Sequence, residues 1–454
     1  MLKVAAIHLC LCGLVNAQGG LQGPLPTPIR TPNPLELCLN SRYSQHSLST
    51  STATAMHLAN ILWAASKAPM LGSYRRLYAY TRDGAYWYDP NTHGLTFHST
   101  EVTREGAFSL GYEAELVFDA GLSYMFALLE AVSLSNSDQP QLASCPKGLG
   151  LPSTRLFFAV QPFAALTSQL VAHSSVPVGQ AWWLPDPCTG GKICLEAIIA
   201  RPNYTTHLTD DDLTTEQISQ LLWAGYGCTS HYTSNGRAGL TVPSAYATYY
   251  LTGRIYLVHE GGLYRYINRN PITNPATRDH RLEPVEKTGG RISRLDIHDL
   301  VDLRASLTDV LPDLPKAGCY LILCLDKTGA GQEFAKLEVG FVAANLLLQA
   351  TALDLGCHLR LVTTAEQAAL QAATGIPMSD LPQLIVSIGH ILKADTDLDG
   401  RVDLHDLAII GNCWRSSWGQ AWFDPRADID RNGAVDRSDL AMLAGSWLGG
   451  HAEG

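Results

Sequence analysis

Two stretches of the chain, 160 positions apart, share one pattern. Aligning residues 35–64 with residues 195–224 without a gap gives seven identities, at Leu, Glu, Leu, Thr, Leu, Trp and Ala. In each copy a helix opens at Leu-Glu, and a second helix follows a Thr-rich cap and ends on Leu-Trp-Ala. In the second copy, Thr214 or Thr215 is the expected N-cap. The sequence therefore predicts a duplicated body made of two related halves.

Further shared elements extend these halves. A Gly-x-Tyr-x-Tyr pattern in "GAYWYDPNTHGL" at 84–95 and in "GGLYRYI" at 261–267 predicts a strand entering a hairpin. A predicted helix at 118–134 matches one at 337–353 with an offset of 219, so the second copy holds 59 residues (219 − 160) that the first lacks. Short apolar runs at 318–326 and 381–390 are typical of buried strands. We expect an α+β fold.

The amino terminus is typical of a secretory signal peptide at residues 1–17. Lys3 precedes an apolar run, and Val15-Asn16-Ala17 forms a small-residue cleavage site. The alternative is a buried N-terminal strand. No later apolar run is long enough for a membrane span, so we expect an exported, soluble protein. Residues 18–34, rich in proline and glycine, are expected to be a flexible linker.

Composition excludes two classes of protein. With 46% hydrophobic and 16% charged residues, the chain can bury a core and does not resemble a disordered protein. A net charge of -10 without a basic run makes nucleic acid an unexpected partner. The cysteines do not form a disulfide scaffold; Cys188 and Cys194 either pair or serve as buried apolar residues.

The last 60 residues contain two acidic loops of twelve residues. Glycine stands at position 6 of each, as Gly400 and Gly433, where Ca²⁺ loops turn sharply. The loops repeat in register at an offset of 33, together with "DLAIIGNCW" and "DLAMLAGSW". Two calcium sites are therefore predicted, with oxygen ligands at Asp395, Asp397, Asp399, the carbonyl of Arg401, Asp403 and Asp406, and at Asp428, Asp430, Asn432, the carbonyl of Ala434, Asp436 and Asp439.

This tail, at residues 393–449, resembles a type I dockerin, a small all-α Ca²⁺ module of secreted bacterial proteins with two EF-hand-like repeats. Asp406 and Asp439 stand at position 12, where an EF-hand sensor carries Glu. The resemblance implies docking onto a cohesin-like protein. Trp414 and Trp447 close the repeats in a form unlike the usual recognition pairs, so an intramolecular spacer role is the alternative.

The body resembles the nitroreductase family, and within it the thiazole/oxazole (azoline) dehydrogenase branch. The resemblance follows, in order, "LEAIIARPNYTTHLTDDDLTTEQISQLLWAGYG", "LTVPSAYATYY", "GGLYRYI", "FAKLEVGFVAANLLLQATALDLG" and "LIVSIGH". It implies two tandem nitroreductase-like halves, a degenerate one at 35–185 and a second at 193–391. It also implies an intramolecular counterpart of the family's dimer, with the Trp63 and Trp223 helices in equivalent places. The alternative is that Leu-Trp-Ala only packs the core.

The resemblance implies FMN as cofactor, with a nicotinamide cofactor or an azoline as the small molecule that reacts with it. The residues that match the family's flavin site are Arg201, Asn203, Thr205, Pro243, Ser244, Ala245, Glu338, Gly340, Asn345 and His390. Thr205 replaces a phosphate-binding Arg, which weakens the expected phosphate binding by about 1.5 to 3 kcal/mol. In the first copy, the corresponding "SRYSQ" offers Arg42 alone. In the second copy, Tyr246 replaces the small Gly that usually follows Pro-Ser-Ala.

Two functions are consistent with this pattern. The first is an exported FMN-dependent oxidoreductase attached to a calcium-binding dockerin. The second is a flavin-free nitroreductase-fold protein with a binding or structural role, displayed through its dockerin. No catalytic residue can be assigned; Tyr246, Tyr249 and Tyr250 are candidates by position.

Overall fold

The computed structural model describes residues 22–45, 48, 53–134, 142–147, 155–160, 166–170, 181–233, 236–269, 278–285 and 302–447. They form two seven-stranded sheets with helices, followed by a small helical unit. The predicted signal peptide lies outside the described residues. In the described part of the chain, no helix is both long enough and apolar enough to span a membrane.

The first sheet is built from residues 23–160. Its strands are β1 (Gly23–Pro24), β2 (Arg75–Tyr80), β3 (Ala85–Asp89), β4 (Gly94–Ser99), β5 (Phe108–Ala114), β6 (Leu142–Lys147) and β7 (Arg155–Val160). Their order in the sheet is β1-β4-β3-β2-β5-β7-β6, and every neighbouring pair is antiparallel. The predicted aromatic hairpin is confirmed as β3 and β4.

The second sheet has the same topology. The strands of this half are β8 (Trp182–Trp183), β9 (Cys228–Tyr232), β10 (Ala238–Leu240), β11 (Ile255–His259), β12 (Gly262–Ile267), β13 (Arg281–Pro284), β14 (Cys319–Asp326), β15 (Leu355–Leu361) and β16 (Asp380–His390). Strands β9 and β10 form a separate pair, and the sheet order is β15-β16-β14-β11-β12-β13-β8. Taken from β8, this order matches the first sheet strand for strand, and all its pairs are antiparallel.

The helices also correspond between the halves. They are α1 (Leu35–Ser41), α2 (Ala55–Lys67), α3 (Val117–Ser133), α4 (Leu195–Ala200), α5 (Thr215–Tyr226), α6 (Arg304–Val310), α7 (Lys327–Ala330), α8 (Glu333–Ala352), α9 (Thr364–Thr374), α10 (Leu404–Asn412) and α11 (Arg437–Gly445). Thr54 and Thr214, 160 positions apart, each cap a helix through a capping box. The predicted N-cap at Thr214 is confirmed, and the helices continue two or three residues past Leu-Trp-Ala.

Helices α3 and α8 cross at a pair of glycines. A Cβ built on Gly121 would overlap the carbonyl oxygen of Leu337, and one on Gly340 would overlap that of Phe118. Both pairs are related by the offset of 219 (340 − 121 and 337 − 118). The contact is reciprocal: each glycine meets the counterpart of the residue that the other glycine meets. This is the pattern of a two-fold interface.

A second contact joins equivalent positions of the two halves. Pro34 and Cys194, 160 positions apart, form an antiparallel β-bridge, and the backbone N–H of Leu195 donates to the carbonyl of Asn33 at 2.9 Å. The buried residues of α3, α8 and both sheets belong to one hydrophobic core. The halves are therefore packed as a single body.

The outer layer differs between the halves. In the second half, α6 and α9 cover the outer face of the sheet, where Leu307 and Leu370 pack against Tyr256 and Ile322. The first half has no counterpart of these helices among its described residues. The second half therefore has a helical layer that the described residues of the first half lack.

Residues 22–34 do not form the flexible linker expected from their composition. The backbone N–H of Ile29 donates to Asn60 at 2.9 Å, and the Thr31 hydroxyl donates to Glu196 at 2.8 Å. The Asn33 amide donates to the carbonyl of Ser133 at 2.5 Å. The segment is bound to both halves because its polar groups find partners more than 30 positions away.

The repeated tryptophans occupy different environments. Trp223 is fully buried, and its ring N–H donates to the carbonyl of Cys228 at 2.9 Å. Trp63 is half-buried and meets Trp418 of the C-terminal unit edge-on, with ring centroids 5.7 Å apart. The core-packing alternative therefore describes Trp223, whereas Trp63 contacts another part of the chain.

The C-terminal unit has a core of its own, formed by residues such as Val402, Ile410, Val435 and Leu443. Helices α10 and α11 follow the two acidic loops, and Asp403 and Asp436 are their N-caps.

Cys188 and Cys194 are both free thiols, and Arg30 Nε donates to Cys194 Sγ at 2.8 Å. Of the two alternatives for these cysteines, the structure therefore favours the unpaired one, with Cys194 buried and Cys188 exposed.

Candidate functional site

The predicted flavin residues lie in two groups, at different ends of α8. The backbone N–H of Asn203 donates to the Thr351 hydroxyl near the end of the helix, whereas Glu338 lies near its start. Thirteen residues separate Thr351 from Glu338, which is about 20 Å along a helix. Arg201, Thr205 and the end of β16 at His390 belong to the first group, and Pro243, Ser244 and Ala245 to the second.

In the first group, the predicted phosphate-binding residues contact the C-terminal unit. Arg201 Nη2 donates to the carbonyl of Asp395 at 2.7 Å, and the Thr205 hydroxyl donates to the carbonyl of Leu398 at 3.1 Å. Asn203 Oδ1 accepts from Arg431 Nη2 at 3.0 Å. His390 is half-buried, and its carbonyl accepts from the backbone N–H of Thr209.

These contacts do not fit a flavin phosphate at Arg201. Burial lowers the pKa of Arg201 to about 10, with the neighbouring Arg431 as a second cause, so the guanidinium stays charged at pH 7. Its Nη2, however, donates to the carbonyl of Asp395 in the first acidic loop, and Arg431 occupies the amide oxygen of Asn203. Arg201 Nε is buried and has no hydrogen-bond partner among the described residues. A phosphate here would have to displace the C-terminal unit.

The second group lies next to Arg42 from the end of α1. Arg42 is 2% exposed, and its Nε and Nη2 donate to the carbonyls of Thr241 and Leu240 at 3.0 and 2.9 Å. Arg42 Nη1 is buried and has no hydrogen-bond partner in the described part of the chain. The Thr241 hydroxyl and Asn345 Oδ1 beside it are also buried and unpartnered there.

Two further arginines are buried near Arg42. The Arg269 guanidinium lies 4.4 Å from the Tyr249 ring centroid, and Arg278 Nη1 donates to the Tyr232 hydroxyl at 2.9 Å. Burial, followed by the charges of Arg42 and Arg278, lowers the pKa of the nearby His231 to about 3. Within the described ranges, none of these arginines forms an ion pair, although buried charges are usually paired.

The donor set at Arg42 fits an anionic group. An unpartnered N–H of a buried guanidinium lies beside Thr241 and Asn345, in a region whose buried charges are mainly positive. Phosphate is the anion that such donors bind well, because charge-assisted hydrogen bonds are the strong ones. The loop predicted to approach the flavin ring begins two residues after Thr241, so Arg42 and this loop lie on neighbouring segments.

That loop has an unusual backbone. Tyr246, Ala247 and Tyr249 have φ angles of 53, 54 and 56°, in the left-handed region that favours glycine. Tyr246 is 89% exposed, so its ring projects into solvent. The Ser244 hydroxyl accepts from the backbone N–H of Tyr249 at 2.7 Å and closes the turn. Strained residues of this kind cluster at ligand-binding sites.

Glu338 is the buried titratable group nearest to this loop. Its Oε1 accepts from the Tyr226 hydroxyl at 2.5 Å and from the backbone N–H of Leu251 at 3.3 Å. Burial raises the pKa of Glu338 to about 7, against the hydrogen bonds from Ser244 and Tyr226, which lower it. A carboxyl group that changes protonation near neutral pH can hold or release a proton.

We predict that replacing Glu338 with Gln removes a pH dependence of stability. Below pH 4.5 the Glu338 carboxyl is protonated in both the folded and the unfolded state. Between pH 4.5 and about 7 only the unfolded state loses this proton, so the free energy of unfolding falls as the pH rises. The loss is complete above pH 7 and is on the order of 3 kcal/mol. Urea unfolding at pH 4.5 and 8 measures it, with Glu333→Gln on the exposed start of α8 as the control. An equal pH dependence in wild type and Glu338→Gln would contradict the assignment.

The acidic loops bring together the predicted calcium ligands at loop positions 1, 3 and 12. Oxygen atoms of Asp395, Asp397 and Asp406 lie within 4.8 Å of one another, as do those of Asp428, Asp430 and Asp439. Burial raises the pKa of Asp395 to about 6 and that of Asp428 to about 7. Three converging carboxylates repel one another unless a cation lies between them, so this donor set fits a hard divalent cation.

The glycines and the remaining predicted ligand positions determine the shape of the acidic loops. Gly400 and Gly433 have φ angles of 89 and 96°, and their backbone N–H groups donate to Asp395 and Asp428 at 2.8 Å. The other predicted ligand positions are Asp399, Arg401, Asp403, Asn432, Ala434 and Asp436. Asp403 and Asp436 cap the following helices. The two loops therefore have the same local geometry.

Some residues of the site have no signal in the sequence. Tyr226, Arg269 and Arg278 belong to three different segments, and only the folded chain brings them, together with Arg42, to the loop at 243–245. Arg42 offers a partial signal, because it lies in the first-copy segment that corresponds to the Arg201 element. The contact of Arg431 with Asn203 joins residues 228 positions apart, which no local pattern predicts.

Two family models match the chain. Residues 205–390 match the nitroreductase family, and residues 393–446 match the dockerin type I domain. No curated protein matches. These matches confirm the nitroreductase and dockerin resemblances seen in the sequence.

Three solved structures are similar to parts of the chain, and the first of them shows the same fold. A candidate nitroreductase from Anabaena variabilis is 12% identical with a TM-score of 0.50, over 81% of this chain and 93% of that one. A candidate nitroreductase from Ralstonia eutropha is 23% identical with a TM-score of 0.36, over 49% and 95% of the two chains. The NADPH:FMN oxidoreductase of Vibrio harveyi complexed with NAD+ is 15% identical with a TM-score of 0.28, over 43% and 67%. The chain thus carries a nitroreductase-family domain at residues 205–390, followed by a type I dockerin domain at residues 393–446.

Proposed function

We propose that the protein is an exported FMN-dependent oxidoreductase of the nitroreductase type, close to the azoline dehydrogenases, attached to a calcium-binding dockerin. The observation that carries the flavin proposal is the unpartnered Nη1 of the buried Arg42, beside the loop at 243–245. A buried cation without a counter-charge is costly, and a phosphate would supply that charge. The proposal moves the phosphate from Arg201 to Arg42.

We further propose that the two halves arose by tandem duplication and stand in place of the family's dimer. The identical strand order, the reciprocal crossing at Gly121 and Gly340, and the bridge between Pro34 and Cys194 support this. The match to the Anabaena structure also supports it, because this match covers 81% of the chain and therefore extends over both halves. In such an arrangement Arg42 of one half and the loop of the other face the same site.

The residues of this site have separate tasks. Arg42 Nη1 and the Thr241 hydroxyl would hold the phosphate as hydrogen-bond donors, while the Asn345 amide donates to the Thr241 carbonyl. Ser244 closes the turn by accepting a hydrogen bond from the backbone N–H of Tyr249. Glu338 holds a proton on its buried carboxyl near neutral pH. FMN, when bound, supplies hydride transfer to or from a small molecule such as a nicotinamide or an azoline.

The prediction for flavin binding compares two arginines. We expect Arg42→Ala to weaken FMN binding by more than about tenfold, the effect of losing a charge-assisted contact. Arg201→Ala should leave the affinity within about twofold, because Arg201 contacts the dockerin instead. Quenching of flavin fluorescence on titration with the protein measures both affinities, and circular dichroism checks that each variant is folded.

The opposite ranking would return the phosphate to Arg201. Absence of quenching with the wild type would overturn the flavin proposal and leave the flavin-free alternative, a nitroreductase fold used for binding or structure. The blocked position at Arg201 already favours that alternative for one of the two potential sites.

For the C-terminal domain we propose two Ca²⁺ ions, one in each loop, and a cohesin-like partner. Type I dockerins bind cohesins, and the outward faces of α10 and α11 leave apolar residues open to solvent. Leu404 is 68% exposed and Leu440 is 39% exposed. The dockerin and the predicted leader at residues 1–17 support export, which would place the calcium sites where Ca²⁺ is plentiful.

A further inference from the structure

The dockerin is held on the body by its calcium loops rather than by its helices. Arg201 and Thr205 donate to the carbonyls of Asp395 and Leu398, which lie in the first loop. From the second loop, Arg431 Nη1 donates to the carbonyl of Thr351 at 2.7 Å and Nη2 to Asn203 at 3.0 Å. Both loops thus touch the segment before α5, and the second loop also touches the end of α8 at Thr351.

The buried surface around these contacts is substantial. Arg201, Asn203, Thr205 and Arg431 are each at least 91% buried. The N-terminal segment adds a third side: Arg30 Nη2 donates to the carbonyl of Arg431, and Trp418 Nε1 donates to the carbonyl of Pro28 at 3.0 Å. Without these oxygen acceptors, the buried guanidinium groups would have no hydrogen-bond partners, which is costly for a buried charge. The contacts therefore hold the domain in one position.

The shape of the loops decides whether these contacts form. Leu398 and Arg431 occupy position 4 of their loops and have φ angles of 62 and 59°. Gly400 and Gly433 approach the body so closely that an added Cβ would crowd His207 and Arg30. Because the carboxylates that shape each loop repel one another, a bound cation is needed to keep position 4 and position 6 where the body can contact them.

We propose that the surface formed by Arg201, Asn203, Thr205 and Thr351 is a docking site for the chain's own dockerin, and that docking requires calcium in the loops. The calcium requirement rests on the calcium sites proposed above; the docking site does not. The surface that matches the family's phosphate-binding element is then an interdomain joint. The outward faces of α10 and α11 remain free for a separate partner.

Hydrogen–deuterium exchange of the full-length protein tests the proposal in saturating Ca²⁺ and in EGTA. Peptides covering 201–208 and 350–357 report on the joint, because the backbone N–H groups of Asn203 and Thr205 are bonded there. We expect exchange in these peptides to be at least about tenfold faster in EGTA. Arg431→Ala and Thr205→Val should be faster even in Ca²⁺, whereas Arg437→Ala, on the exposed start of α11, should match the wild type.

The outcomes separate the joint from the calcium sites. Wild-type exchange in both variants in Ca²⁺ would overturn the joint. Fast exchange in the variants, with no response of the wild type to EGTA, would keep the joint and overturn its calcium dependence. Because Thr205→Val removes a single hydroxyl, it remains informative if Arg431→Ala fails to fold.

Discussion

Replacing Gly340 with Ala is expected to lower the free energy of unfolding by about 3 kcal/mol, and Gly121→Ala should cost a similar amount. At both positions the new Cβ would overlap a backbone carbonyl of the facing helix, which cannot move out of the way as a side chain can. The helices must therefore separate along the core that both halves share.

The double variant gives the sharper result. Since one separation of α3 and α8 makes room for both methyl groups, Gly121→Ala with Gly340→Ala should cost about 2 kcal/mol less than the sum of the single changes. Urea unfolding measures all three variants. Gly411→Ala is the control, because Gly411 lies on helix α10 with open space around it and Ala there should be neutral or stabilising. Small, additive costs at Gly121 and Gly340 would contradict the reciprocal crossing.

Removal of calcium is the second change with a large expected effect. At a Ca²⁺ concentration a thousandfold above the dissociation constant, binding stabilises the dockerin by about 4 kcal/mol per site. EGTA should therefore shift the melting of residues 393–447 strongly downwards in differential scanning calorimetry. The physical reason is that Asp406 and Asp439 are almost fully buried, each beside two further carboxylates, and burying such a cluster without a bound cation is costly.

Counting the ions identifies the ligands. Isothermal calorimetry should give two Ca²⁺ ions for the wild type and one for Asp439→Ala, since Asp439 belongs to the second loop. Asp313→Asn, which removes a surface carboxylate of the body, should still bind two. A wild type that neither binds Ca²⁺ nor melts differently in EGTA would remove the calcium assignment.

Local chemistry explains what the sequence could predict. The capping threonines at 54 and 214, the aromatic hairpins and the acidic loops each depend on residues within a dozen positions. The duplicated pattern also predicts two halves, and the equal strand orders of the two sheets are consistent with it.

Long-range partners explain what could not be predicted. Residues 22–34 have the composition of a linker, yet Thr31 bonds to Glu196 and Asn33 to Ser133. Trp63 and Trp223 share a motif, but only Trp63 has a dockerin residue beside it. Arg201 matches a phosphate-binding residue, and its real neighbours come from a domain that begins almost 200 positions later.

The amount of flavin bound per chain tests the central claim most directly. The full-length protein is mixed with excess FMN in Ca²⁺, separated from free flavin by gel filtration, and analysed by absorbance for flavin and protein. With Arg42 holding the phosphate and the position at Arg201 covered by the dockerin, we predict one FMN per chain. A protein that emerges colourless, or with two flavins per chain, would contradict this account.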